Sequence, residues 1–219
     1  MSRIYTFKTC ALAIVILLGL IAQTKSLDAQ QHDTLVVAGG CFWCVEADFE
    51  TVDGVVEVIS GFTGGDLANP TYKQVVNGGT GHLEAVQITF DSAEVSVDTL
   101  LMLFFRSVDP TDKGGQFCDR GPTYTTGIFV SPQQRKAAEK ATASAQADLS
   151  QIVVTPILDA SDFYPADAYH QNYYKQKGLV LTRFGPKTKA GAYKAYRKAC
   201  GRDARVKQLW GMDAPFADN

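Results

Sequence analysis

The chain lacks a dominant charge. Its 21 Lys and Arg stand against 23 Asp and Glu, for a net charge of −2. That balance gives no reason to expect nucleic acid as a partner, because phosphate backbones are held by basic surplus. It also lacks internal repeats and any long low-complexity linker, which sets aside repeat arrays and tethered modules. At 219 residues with 46% apolar content, one substantial core is the expectation. Cysteine is scarce, with five in all. Cys118, Cys200 and the histidines form no second paired motif beside Cys41-x-x-Cys44. A zinc site built from two such pairs is therefore disfavoured.

No apolar run is long enough to span a bilayer comfortably. The N-terminal one, Cys10 to Ala22, falls short of the roughly 20 residues needed. Arg3 and Lys8 precede it and a polar stretch follows. This is the layout of a secretory signal, and we place its end at about Ala29. The expectation is a signal peptide over 1–29 and one catalytic domain with a basic C-terminal tail over 30–219. The mature protein is then exported, to the periplasm or outside, with no membrane contact after cleavage. A membrane anchor is the alternative, since "LDA" is a mediocre cleavage site. Export leaves Cys41, Cys44, Cys118 and Cys200, an even count that also fits two structural disulfides.

What is present begins with "TLVVA", a short buried strand ended by Gly39-Gly40. "VEADFETV" follows with Val45, Phe49 and Val52 at helical spacing. Cys41 thus falls where a strand meets a helix N-terminus, a position that stabilises a thiolate. "GVVEVISGFTGG" and "EAVQITFD" read as further strands. "SVDTLLMLFFRSV" reads as an apolar helix stopped at Asp109-Pro110. "TDKGGQFCDRGPTYTT" is a glycine-punctuated loop and "GIFV" a fourth strand. "SPQQRKAAEKATASAQADLS" predicts a helix capped by Ser131 with Pro132 at its first position. "QIVVTPILDA" predicts a fifth strand broken at Pro156. In the tail, Tyr193, Tyr196 and Cys200 share one helical face, and the tail's charges read as a solvated face. Without a steady βαβ rhythm, these elements predict one α+β domain with helices packed over a mixed sheet.

A CxxC that follows a strand and opens a helix suggests redox chemistry. Loop residues add to it. Glu84 opens a strand, Tyr72 and Tyr124 sit in punctuated loops, and Asp119 lies five residues before Tyr124. One acid and two phenols can hydrogen-bond and protonate an oxygen atom, which a simple disulfide exchanger does not require. Each residue taken alone is more often structural.

"GCFWCVE", "NPTY", "GHLEAV" and "FYPADAYHQNY", in this order, closely resemble the A-type peptide methionine sulfoxide reductases. The resemblance implies a two-layer α/β sandwich with a ferredoxin-like core and a mixed sheet. It implies that Cys41 attacks the sulfoxide sulfur and that Phe42 and Trp43 hold its methyl group. Glu84 is then the acid for the sulfoxide oxygen, Tyr72 and Tyr124 bond that oxygen, and Asp119 completes the site. The substrate would be methionine-S-sulfoxide in oxidised proteins or peptides, with the free amino acid a further candidate. The reductant would be a thioredoxin-like dithiol. No cofactor or metal is implied, and a monomer is the default. The chain departs from the family around Tyr124, where it reads "DRGPTYTTG", and at Asp167, where glutamate is commoner.

A sulfenic acid left on Cys41 condenses readily with a nearby thiol. Cys44 is our first choice as resolving cysteine. Cys200, in a mobile-looking tail with basic neighbours, is a second relay. Cys118 ranks last, expected buried and inert beside the Asp119 carboxylate. His170 and His82 read as structural residues. Two other functions stay open on the residues alone: thiol–disulfide exchange through Cys41 and Cys44, and a non-catalytic module stapled by disulfides.

Overall fold

The computed structural model describes residues 32–217, so the expected signal segment at 1–29 lies outside the described residues. Among the described residues, no helix is long and apolar enough to cross a membrane. The organising strand is β1 (His32–Gly39), which pairs antiparallel with β3 (Leu83–Asp91) and β6 (Thr126–Val130). β3 also pairs antiparallel with β2 (Val55–Thr63). The short β7 (Ile157–Asp159) runs parallel to β6, and β8 (Tyr164–Pro165) antiparallel to β2. The result is a mixed six-stranded sheet in the order β7-β6-β1-β3-β2-β8.

Alternation along the strands sorts two faces, as a period of two requires. Leu35 and Val37 lie opposite Ile88 and Val86, and all four are buried beneath the helices in the main core. Val36 and Ala38 face the other way, toward Ala85, Phe129 and Phe163. The helical side carries α1 (Phe42–Phe49), α2 (Tyr72–Val76), α3 (Val97–Phe105) and α4 (Arg135–Leu149). α3 is capped by the Ser96 hydroxyl, which accepts from the Thr99 N–H at 3.1 Å. It buries Leu100, Leu101, Phe104 and Phe105. Each such side chain stabilises the fold by about 1.5–3 kcal/mol relative to exposure.

Three sequence expectations need correction. α4 starts at Arg135 and has no serine cap. Ser131 and Gln134 instead close a turn, in which the Gln134 side chain accepts from the Ser131 N–H and donates to the Thr34 carbonyl of β1. The fifth strand shrinks to Ile157–Asp159, because Pro156 has no N–H and the Val154 N–H donates to Pro110 instead. The tail is an ordered pair of helices, α5 (Lys189–Cys200) and α6 (Arg202–Trp210). It is no solvated face: Arg197 and Arg202 are buried in it, turned inward toward Asp48. Two hairpins stand outside the sheet, β4–β5 (Gly115–Gln116 with Asp119–Arg120) and β9–β10 (Leu179–Thr182 with Gly185–Thr188).

Candidate active site

Antiparallel pairing brings the end of β1 beside the beginning of β3, so Cys41, two residues past β1, meets Glu84, the second residue of β3. The chain turns at Gly40 with φ +79°, and a Cβ there would lie 2.5 Å from the Gln116 Cβ. Only glycine fits both demands. Gln116 is itself clamped to the Asp109 backbone by bonds of 2.8 and 2.9 Å. The loop bearing Asp119 and Tyr124 is thereby seated against the Cys41 turn.

α2 supplies the next group. Its capping box joins Thr71 and Gln74, which fixes Tyr72 at the first helical position. The Thr123 hydroxyl donates to the Val75 carbonyl at the other end of α2, at 3.1 Å. This tie draws Tyr124 toward Tyr72, and the Tyr72 phenol donates to that of Tyr124. Burial, with the neighbouring Glu84 carboxyl, pushes both phenols above their ordinary range. They are neutral donors at any working pH.

Glu84 is 1% exposed, and its Oε2 accepts the Phe42 N–H at 3.1 Å. Burial pushes its carboxyl up to about 8, against the pull of that hydrogen bond. It therefore carries a proton at neutral pH. Cys41 is the N-cap residue of α1, as the sequence predicts, but the thiolate does not settle there. The hydrogen bond to Cys44 holds the Cys41 proton, and burial with the nearby carboxyls of Glu84 and Asp119 raises the thiol further. The same bond lowers Cys44, helped by Arg202 and Arg197 and opposed by burial. In the resting site the charge of the pair favours Cys44, chiefly because Cys41 donates to it and secondarily because Arg202 and Arg197 lie on its side.

An aromatic wall flanks these groups. Phe42 packs on Phe62 and Tyr72 with centroids at 5.8 and 6.2 Å. Trp43 stacks on Tyr173 at 3.8 Å, and His170 stacks on Tyr72 at 4.2 Å. Glu46, fully buried on α1, accepts the Asn172 N–H at 2.7 Å and so holds the His170–Tyr173 segment in place. Burial pushes Glu46 up to about 7. His82, by contrast, is a turn residue: Nδ1 accepts from the Gly65 N–H and Nε2 faces the Leu67 carbonyl.

One cavity of about 510 Å³ gathers Cys41, Phe42, Trp43, Cys44, Tyr72, Glu84, Asp119, Tyr124 and Cys200. Every site residue named from the sequence lines it. Two readings change. Cys118 is exposed, not buried, and is joined to Cys200 by a disulfide. Cys200 is the last residue of α5, and that bond ties it to the Asp119 loop rather than leaving it mobile. Cys41 and Cys44 are free thiols. Sequence reasoning missed Tyr173, the ring contacts of His170, and Arg202, which also lines the cavity. Gly201, in the left-handed conformation between α5 and α6, is a sequence signal that separates the two helices.

A family model described as peptide methionine sulfoxide reductase matches residues 33–211. A peptide methionine sulfoxide reductase from Caulobacter vibrioides, MsrA 2, is 46% identical over 212 residues, covering 96% of this chain and 100% of that protein. The MsrA of Bacillus pumilus is 46% identical over 159 residues, or 71% of this chain and 89% of its own. Among solved structures, reduced Mxr1 from Saccharomyces cerevisiae superposes with a TM-score of 0.63 at 28% identity, covering 69% of this chain and 88% of its own. Methionine sulfoxide reductase A of Corynebacterium diphtheriae gives 0.58 at 30% identity, over 65% and 73%.

Proposed function

The chain belongs to the peptide methionine sulfoxide reductase family, and from that premise we propose how its site performs thiol-dependent reduction of methionine sulfoxide. The observation that carries the reading is the buried, protonated Glu84 held beside Cys41 by the Phe42 N–H. Sulfoxide oxygen leaves badly until protonated, and a carboxyl with its pKa near 8 has a proton to give. Tyr72 and Tyr124 donate to the same oxygen, while the Phe42 and Trp43 rings take the methyl group. Asp119 borders this site from its loop.

Cys41 gives its proton toward Cys44 and attacks the sulfoxide sulfur. The oxygen, protonated by Glu84, ends on Cys41 as a sulfenic acid, and reduced methionine departs. Methionine sulfur gains two electrons and Cys41 loses two. Cys44 then attacks Cys41, expelling water and leaving a disulfide. An external dithiol of thioredoxin type resets the pair; Cys200, bonded to Cys118, acts as a second relay only once that bond is reduced. A plain thiol–disulfide exchanger would need neither the buried acid nor the paired phenols.

The S epimer in proteins or peptides is the proposed substrate. Reduction of a peptide methionine sulfoxide, resolved by epimer, tests this: loss of the S form alone supports it, and loss of the R form counts against it. Export through a signal cleaved near Ala29, to the periplasm or beyond, follows from the basic–apolar–polar order of residues 1–29. N-terminal sequencing of the mature protein tests that step. Activity as a monomer is the accompanying proposal, tested by light scattering.

A further inference from the structure

Two arginines of the C-terminal helices line the cavity together with Cys44, and they are used differently. Arg197 is fully engaged: it donates to Asp48 Oδ1 at 2.7 Å, Asp203 Oδ1 at 2.8 Å, the Tyr193 hydroxyl at 2.8 Å and the Phe216 carbonyl at 3.0 Å. Arg202 is 2% exposed, yet its one hydrogen bond runs from Nη1 to the Gly39 carbonyl at 3.3 Å. Its Nε stops 3.9 Å from Asp48 Oδ2. The buried Nε and Nη2 have no hydrogen-bond partner, and neither has Asp48 Oδ2. A buried guanidinium with two idle donors is costly and calls for a reason. This one lies over the Phe117 ring at 4.8 Å and lines the cavity together with Cys44 and Asp119.

The charges around Cys44 give the reason. Cys41 and Asp48 face it from α1, Glu84 from β3, Tyr193 and Arg197 from α5, and Arg202 from α6. Asp48 is matched by its short contact with Arg197. Glu84 is protonated at neutral pH. Asp119 approaches Arg202 from its loop, but burial pushes that carboxyl toward the neutral form. Arg202 is therefore the cation of the site whose donors are not used up. Arg197 is spent on Asp48 and Asp203, whereas Arg202 only approaches Asp48 and keeps Nε and Nη2 free of hydrogen bonds. A planar guanidinium fork with free donors is suited to meet an anion in a buried place.

We propose that Arg202 is a positioning residue for the second half of the reaction, holding Cys44 as the thiolate that attacks the Cys41 sulfenic acid. The inference rests on reading Cys44 as the resolving cysteine. In that step the Cys44–Cys41 S–S bond forms and the Cys41 S–O bond breaks. Cys44 sulfur is oxidised, the sulfenic sulfur is reduced, and hydroxide leaves as water with the proton Cys44 released. The arginine takes no part in bond making. It sets which sulfur is charged when the sulfenic acid appears.

The experiment follows the pH dependence of iodoacetamide alkylation of Cys44 in a Cys41→Ser protein, a readout that needs no reductase activity. The expected midpoint lies below the ordinary thiol range near 8.5. Arg202→Met should raise it by at least one pH unit, about a tenfold loss of thiolate per unit at neutral pH. Arg202→Lys should restore most of the difference, which a purely structural role would not do. With Cys41 present, dimedone should trap the Cys41 sulfenic acid longer in Arg202→Met by a similar factor. A Cys44 midpoint at or above the ordinary range in Cys41→Ser overturns the proposal even if no Arg202 variant folds. So does an unchanged midpoint in Arg202→Met. Failure of the resolving role shows separately, as no Cys41–Cys44 disulfide after one turnover although Cys44 alkylates at low pH. That result also ends the proposal.

Discussion

The Phe42 N–H donates to Glu84 Oε2 at 3.1 Å across 42 residues of sequence, which fixes a buried carboxyl at the first turn of the helix that begins beside Cys41. The bond needs only an acceptor, so Glu84→Gln keeps it through the amide oxygen while removing the acidic proton. Methionine formation in a single turnover should slow by about 10²–10⁴-fold. Alkylation of Cys41 should proceed at a comparable rate, which separates lost acid catalysis from a collapsed site.

The same carboxyl predicts a pH limb. Burial pushes Glu84 up to about 8, so the proton is present below that value and lost above it. The single-turnover rate of methionine formation should fall as pH rises through about 8, and Glu84→Gln should lack that limb. A profile that keeps climbing to pH 9.5 would assign the proton elsewhere.

Stability should carry a related signature. Glu46 and Glu84 both titrate higher in the folded chain than an ordinary carboxyl does. The native state then binds more protons than the unfolded one between about pH 5 and 8, so stability declines as pH rises across that window. Each group contributes at most about 1.4 kcal/mol per pH unit. Urea unfolding of Glu46→Gln should show a shallower decline than wild type.

For the thiols, Cys44→Ser should release one equivalent of methionine and stop with Cys41 as a sulfenic acid that dimedone traps. Wild type should show a Cys41–Cys44 disulfide by peptide mass mapping. An intramolecular disulfide formed at full rate in Cys44→Ser would move the resolving role to another cysteine.

Removing the bond between Cys118 and Cys200 frees a closed segment with a sequence separation of 82 residues. The double change to Ala should lower stability by about 2–4 kcal/mol, read as a lower midpoint in denaturant. That bond fastens α5 to the loop of Asp119 and Tyr124, so the cost should fall on the site side of the molecule. Hydrogen exchange at residues 115–125 should rise more than in β1.

Much of this was legible because local patterns and packing agreed. Leu35 and Val37 alternate as a half-buried strand must, and Val45 and Phe49 repeat as a helix does. Cys41, Phe42, Trp43, Cys44, Tyr72 and Glu84 were legible through the quoted motifs, and Asp119 and Tyr124 through the punctuated loop that carries them. The charged interior was not. Arg197 and Arg202 read as solvated tail because sequence spacing says nothing of Asp48, which lies 149 residues before Arg197. Cys118 likewise read as buried and inert, since neither its neighbour Asp119 nor its loop reveals that α5 ends beside it. The Ser131 cap failed for a similar reason: Gln134 found a better partner in the Thr34 carbonyl of β1. Each miss is a long-range contact, polar for the arginines and Gln134 and covalent for Cys118, overruling a local preference.

The most direct test of the account is epimer-resolved reduction of a dabsylated methionine sulfoxide by the purified protein with dithiothreitol. Wild type should consume the S epimer and leave the R epimer, and Cys41→Ser should consume neither. Retained activity in Cys41→Ser, or no consumption of either epimer by wild type, would contradict it.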